Sequence, residues 1–202
     1  MKKTILMLFV AMLTVSVSAQ RFGVKAGLNL SNYYGSDADG FKTLTGFQLG
    51  GLYELPLSGG FYLQPEAVLT LKGAKYTLGS SDLKMKPYYL EIPVRAMYKL
   101  PVGSGNLTLA TGPYLALGLF GKGTYAGDSG NLFTKEGGAE ATLKRFDLGL
   151  SSALGYELSS GLFFNLESSL GFLNTFNADG NVKNTTVALV VGHKFCYISL
   201  KT

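Results

Sequence analysis

The 202-residue chain has one cysteine, Cys196, and one histidine, His193. A single thiol leaves no internal disulfide to form. One histidine without a Cys/His cluster gives zinc chemistry almost no support. No apolar run after the N-terminal segment approaches the ~20 residues of a membrane-crossing helix. Composition does not shift along the chain and no linker is evident, so one domain is expected over residues 20–202. Charge is sparse as well, with 18 Lys+Arg against 13 Asp+Glu. Such a mild excess gives nucleic acid no purchase as a partner.

The N-terminus reads as a secretory signal peptide over Met1–Ala19. Lys2 and Lys3 form a basic start, Ile5–Val15 an apolar run, and Val17-Ser18-Ala19 a small-residue cleavage site before Gln20. Loss of Lys2 and Lys3 would lower the formal charge from +5 to +3.

What the chain does have is apolar residues, 47% of the total, with 27 glycines, 12 tyrosines and 13 phenylalanines. In Phe61–Gly73 the residues Phe61, Leu63, Pro65, Ala67, Leu69 and Leu71 alternate with the mostly polar Tyr62, Gln64, Glu66, Val68, Thr70 and Lys72. Side chains of a strand alternate faces, so this stretch has one apolar and one polar face. The pattern recurs in Phe22–Leu30, Thr45–Leu55, Tyr88–Leu100, Leu107–Phe120, Arg145–Leu158, Leu162–Leu173 and Thr185–Phe195. These eight segments are near or above the ~9–11 residues a tilted strand needs to cross a bilayer.

Short turns at Pro56–Gly60, Pro101–Gly105 and Ser159–Gly161 alternate with longer loops at Ser31–Gly40, Ala74–Lys86, Gly121–Leu143 and Asn174–Lys183. Short periplasmic turns and longer outside loops are the plan of an outer-membrane barrel. The expected fold is all-β: an eight-stranded antiparallel up-and-down transmembrane β-barrel. Its ring closes because lipid cannot satisfy a free sheet edge. Pro65, Pro93 and Pro113 fall inside strands, where each removes a ladder hydrogen bond, and bulges with parity slips are expected there.

Parity places six acids inside, Glu54, Glu66, Glu91, Asp147, Glu157 and Glu167. It places six bases with them, Lys25, Lys72, Arg95, Lys99, Arg145 and Lys194. Eight strands enclose a lumen narrow enough for side chains to fill. Buried charges there should pair, with Arg95 and Arg145 each held by at least one of Glu66, Glu91, Asp147 and Glu167. This set forms the candidate structural network, and the competing reading is a gated ion path or a proton-handling carboxylate cluster.

A Ser/His/acid set would be needed for lipid-modifying chemistry. His193 lies on the expected lipid face, and Ser199 has the wrong parity for a His-x-Ser pair. An interfacial ring is the favoured reading, and no catalytic, cofactor or metal residue is assigned. The loop Gly121–Leu143 holds Tyr125, Asp128, Phe133, Lys135, Glu136 and Glu140, and either binds a partner or is merely solvated. Its glycines lack the strand–helix setting of a phosphate loop, and Asp128-Ser129-Gly130-Asn131 lacks the spacing of a calcium loop.

The motifs LQPE, YLEIPV, GPYLALG and FDLGLSSALGYEL occur in this order and resemble the outer-membrane β-barrel family abundant in Bacteroidetes. Its members are often labelled PorT-like or porin-family proteins, and they are OmpA/OmpX-like eight-stranded barrels. The resemblance covers nearly the whole mature chain. It implies residence in the outer membrane among its lipids, delivery by the barrel assembly machinery, and no assigned activity. Barrels of this kind commonly end on a phenylalanine, whereas here HKF is followed by Cys196–Thr202. The leading expectation is a non-enzymatic barrel with outside loops that serve envelope integrity or bind a protein or surface ligand. A narrow pore or an accessory subunit of a secretion system is the alternative, and a lipid-modifying enzyme the weakest reading.

Overall fold

The computed structural model describes residues 20–79, 81–134 and 141–196. They form ten strands: β1 (Arg21–Tyr34), β2 (Phe41–Pro56), β3 (Phe61–Leu71), β4 (Ala74–Leu78), β5 (Ser81–Val102), β6 (Gly105–Tyr125), β7 (Asp128–Asn131), β8 (Phe146–Leu158), β9 (Leu162–Gly171) and β10 (Lys183–Cys196). Eight of them, β1, β2, β3, β5, β6, β8, β9 and β10, pair antiparallel in sequence order. The ring shuts where the full length of β1 pairs with β10, Arg21 opposite Cys196 and Tyr34 opposite Lys183. β4 and β7 are short additions at the end that carries the long loops. The opposite end has turns of a few residues, with Gly59, Gly60, Gly103 and Gly161 at positive φ.

Sidedness follows the sequence alternation through the lower two-thirds of the ring. Leu28, Leu49, Ile92, Val94, Leu115, Leu154, Leu166 and Leu189 face out and are exposed, while their strand neighbours face in. Above this band the sidedness inverts. On β5, Met85 and Tyr89 point inward and are buried, while Lys84 and Lys86 point outward. An outer face bathed in water takes polar residues, so the apolar ones turn inward there. The stretches Ala74–Lys86 and Gly121–Asn131, expected as loops, are therefore largely a hairpin extension of the ring.

The prolines do not produce the expected bulges. Paired residues keep one register on both sides of Pro65, Pro93 and Pro113, and inward parity survives. The β3–β5 ladder passes directly from the Pro65–Val94 pair to the Val68–Glu91 pair, and β5–β6 from Pro93–Tyr114 to Ala96–Thr111. Proline is extended at its fixed φ, so the strands lose hydrogen bonds locally without gaining a residue. Gly112 absorbs the close approach, since a Cβ there would lie 2.0 Å from the carbonyl oxygen of Val94. A register shift occurs instead opposite Tyr88/Tyr89, where Leu119 and Phe120 of β6 are both exposed.

Inside the ring, an apolar cluster roofs the long-loop end. Tyr33, Met85, Tyr89, Leu132, Phe133, Leu143 and Val182 are buried there, with Phe41 and Phe176 packed against them. A smaller apolar patch of Leu52, Phe163, Ala188 and Val190 lies on the wall formed by β2, β9 and β10.

Candidate functional site

The lumen holds three levels of charge, set by how far along its strand each inward residue sits. At the short-turn end are Glu54 near the end of β2, Lys99 of β5, Glu157 of β8 and Lys194 of β10. Lys99 Nζ lies 2.8 Å from Glu54 and 2.9 Å from Glu157, and Lys194 Nζ 2.6 Å from Glu54 and 2.8 Å from Glu157. Arg21 closes this level from below, 3.7 Å from Glu54 and bonded to Glu157. The Lys99 ammonium also lies 4.5 Å from the centre of the Tyr62 ring.

The middle level is a two-by-two array. Lys25 Nζ lies 2.5 Å from Glu66 and 2.7 Å from Glu167. Arg95 donates through Nη1 to Glu66 at 2.7 Å and through Nη2 to Glu167 at 3.4 Å, and both Nε and Nη2 donate to Ser151 Oγ. Gln64 donates to Glu66 and Gln48 to Glu167, so both carboxylates receive neutral donors as well. A guanidinium offers five donors in a rigid fork, and here they reach three acceptor side chains.

At the long-loop end Lys72 Nζ lies 2.6 Å from Glu91 and 3.4 Å from Asp147, and 3.9 Å over the Tyr114 ring. Tyr114 donates its hydroxyl to Asp147 at 2.9 Å, and Asn184 donates Nδ2 at 3.1 Å. The apolar roof begins directly above. Side chains fill the interior: Lys25, Lys72, Tyr89, Arg95, Tyr114 and Phe163 are among the most buried large residues of the protein.

Of the residues singled out from the sequence, Glu66, Glu91, Arg95, Asp147 and Glu167 are in the lumen and in contact with opposite charge or with one another's partners. Arg145 is not. It lies just before β8 begins, is exposed, and donates to the carbonyls of Gly118 at 2.9 Å, Leu119 at 3.2 Å and Phe133 at 3.3 Å. Strand parity stops where the strand stops, and the carbonyls at the Leu119 shift supply what the lumen acids were expected to supply. The missed base is Arg21. It precedes Gly23 and Lys25 by steps of two, and its parity was available in the sequence one residue before the expected strand start.

His193 points outward, with its ring 4.8 Å from that of Phe195. Ser199, Lys135, Glu136, Glu140 and the N-terminal segment lie outside the described residues. Asp128–Asn131 is β7, hydrogen-bonded to Lys122–Tyr125 as a hairpin. Among the described residues no three His, Cys, Asp or Glu side chains converge as a metal site would require.

The profile of the outer membrane protein beta-barrel domain family matches residues 16–177. The chain belongs to this family. A search of curated proteins by sequence finds no match. Among solved structures, Neisserial surface protein A is similar at 16% identity with a TM-score of 0.52, over 86% of this chain and 97% of that one. Ail of Yersinia pestis is similar at 16% identity and a TM-score of 0.47, over 88% and 99%. The N-terminal β-barrel domain of Pseudomonas aeruginosa OprF is similar at 11% identity and a TM-score of 0.36, over 86% and 97%. The family and the shared fold make this chain an outer-membrane β-barrel protein, set among membrane lipids by its outward apolar band.

Proposed function

We propose that this barrel is a non-enzymatic, closed scaffold of the outer membrane whose long-loop end serves envelope integrity or binds a partner. The observation that carries this reading is the middle level, where Lys25, Arg95, Glu66 and Glu167 cross-link four strands through the centre of the lumen. Two bases meet two acids with hydrogen bonds to spare, which is the condition under which buried charges hold a structure rather than strain it. A wide water path and a tight two-by-two salt-bridge array exclude each other in so narrow a ring.

Single-channel recording of the purified barrel in a planar bilayer tests the reading. The expected result is no steady current. Ohmic conductance would replace the scaffold by a narrow pore, the reading that the PorT-like resemblance also keeps open through secretion accessory subunits.

On this reading the short-turn end is periplasmic, and Met1–Ala19 is cleaved during export, before insertion by the barrel assembly machinery. Val17-Ser18-Ala19 motivates the cleavage site. Mass analysis of protein extracted from membranes should find Gln20 at the N-terminus, and an intact Met1 would remove the export step.

A further inference from the structure

Across the outer extension, lysines stand directly opposite one another. Lys42 of β2 is the register partner of Lys75 on β4, and Lys75 is the partner of Lys84 on β5. Two residues further down β5, Lys86 is the partner of Lys122 on β6. All five point away from the barrel axis, since their strand neighbours Phe41, Ala74 and Met85 belong to the inner cluster. Lys42, Lys84, Lys86 and Lys122 are exposed and Lys75 is half-buried. Like charges directly opposed across strands destabilise a sheet. Among the described residues no acid reaches any of the five. The acid on this face, Asp82, accepts from Thr77 at the hairpin tip, and Thr77 in turn accepts from Lys42. A row of repelling ammoniums is retained against a local cost, which calls for an anion between them.

The position of the row says which anion. Immediately below the Lys86–Lys122 pair, the next outward pair is Tyr88–Phe120, stacked at 5.0 Å, with Phe47 a further 5.7 Å from Tyr88. Below these the outward residues are Leu90, Ile92, Val94, Leu117 and Leu115, the apolar band. Aromatic rings of this kind mark the headgroup boundary of a barrel. One outward step along a strand is about 7 Å, so Lys86 and Lys122 stand just above the rings at headgroup depth, and Lys84, Lys75 and Lys42 one step further out, where the lipid boundary gives way to water.

We propose that Lys42, Lys75, Lys84, Lys86 and Lys122 form a docking site for the phosphate of a membrane lipid in the leaflet at the long-loop end, with its chains lying along Tyr88 and Phe120. The inference rests on the outer-membrane placement of the barrel and adds a partner of defined chemistry to it. The anion neutralises the cross-strand repulsion, so lipid binding also stiffens the extension that carries the apolar roof.

The test uses the full mature barrel in phosphatidylcholine nanodiscs doped with diphosphoryl lipid A or with the same lipid after phosphatase treatment. Native mass spectrometry counts the glycolipid molecules retained on release. The phosphorylated lipid should be retained roughly tenfold or more over the dephosphorylated one, because each lysine near an anionic surface contributes about fivefold and two of them already exceed that ratio. Replacing Lys75, Lys84, Lys86 and Lys122 together by Gln should abolish the preference, and Lys144→Gln before β8 with Lys183→Gln at the start of β10 should leave it intact. Should the fourfold variant fail to fold, Lys86→Gln/Lys122→Gln and the phosphate comparison on the unmodified protein decide the matter. Equal retention of both lipids, or a preference that survives the loss of the lysines, overturns the proposal. So does tight binding of a soluble sulfated polysaccharide through these lysines with no lipid retained. A protein that fails to insert, and shows no heat-modifiable gel mobility, instead refutes the outer-membrane placement itself.

Discussion

Arg95 and Arg145 carry the same side chain and do opposite things with it. Arg95 is buried among Glu66, Glu167 and Ser151, while Arg145 lies in the open and gathers backbone carbonyls. Arg95→Ala would leave Glu66 and Glu167 facing Lys25 alone, one buried negative charge in excess. Breaking a buried pair by removing one partner costs about 3–5 kcal/mol, most of it from the orphaned charge. Thermal unfolding in detergent should show that loss, and Arg95→Ala/Glu66→Gln should recover part of it by restoring neutrality. A double variant no more stable than the single one would show that the array does not act as a charge-balanced unit. Arg145→Ala should cost only about 1 kcal/mol, the scale of partly solvated hydrogen bonds, and leave the barrel's unfolding temperature nearly unchanged. Its effect should appear in faster proteolysis of the segment after β6, which Arg145 ties to Phe133 and the β6 shift.

At the scale of strands, what could be read in advance was whatever obeyed a period of two. β9 is the clean case: Phe164, Leu166 and Leu170 are exposed and Glu167 and Ser169 are buried, as alternation requires. Leu166→Arg puts a charge on the lipid face at roughly 2–4 kcal/mol and should block stable insertion, whereas Glu167→Gln keeps the shape of the lumen and should still insert, with lowered stability because Lys25 and Arg95 are left facing Glu66 alone. Folded yield in detergent compares them, and a greater loss from the Glu167 change would invert the sidedness of β9. The illegible parts are those where alternation meets another rule. Arg145 lies one residue outside its strand. The outer ends of β5 and β6 reverse their polarity because their solvent changes from lipid to water. The roof needs Tyr33 at the end of β1, Phe133 and Leu143 from the connection between β7 and β8, and Val182 just before β10 to converge, which no local pattern encodes. The prolines misled for a different reason, since their effect was absorbed by a neighbour. Gly112→Ala should therefore destabilise the barrel strongly, with its new methyl 2.0 Å from the Val94 oxygen, while Gly51→Ala, whose nearest neighbour is 3.8 Å away, should be mild. Similar unfolding temperatures for the two would remove the close approach from the account of the proline stripe.

For the whole molecule, the proposed closed scaffold has two seals in series. The apolar roof repels ions because they would leave water with no compensating partner. The three charge levels beneath it block by occupancy, each cation already holding its acids at 2.5–3.4 Å in the middle level. Seals in series predict a specific pattern of failure. A variant that loosens the roof alone, Tyr33→Ser/Phe133→Ser, should remain silent in a planar bilayer, since all three charge levels persist. Arg95→Ala/Glu66→Ala alone should also remain silent, because the turn-end level of Arg21, Glu54, Lys99, Glu157 and Lys194 and the roof both stand. Loosening the roof and the middle level together should still be silent while the turn-end level and the Lys72–Glu91–Asp147 level stand, and brief, unsteady openings should appear only when those two levels are loosened as well. Steady current from the roof variant alone would locate the whole resistance at the loops and make the charge levels the lining of a gated path. Steady current from the unmodified barrel would remove the closed scaffold altogether.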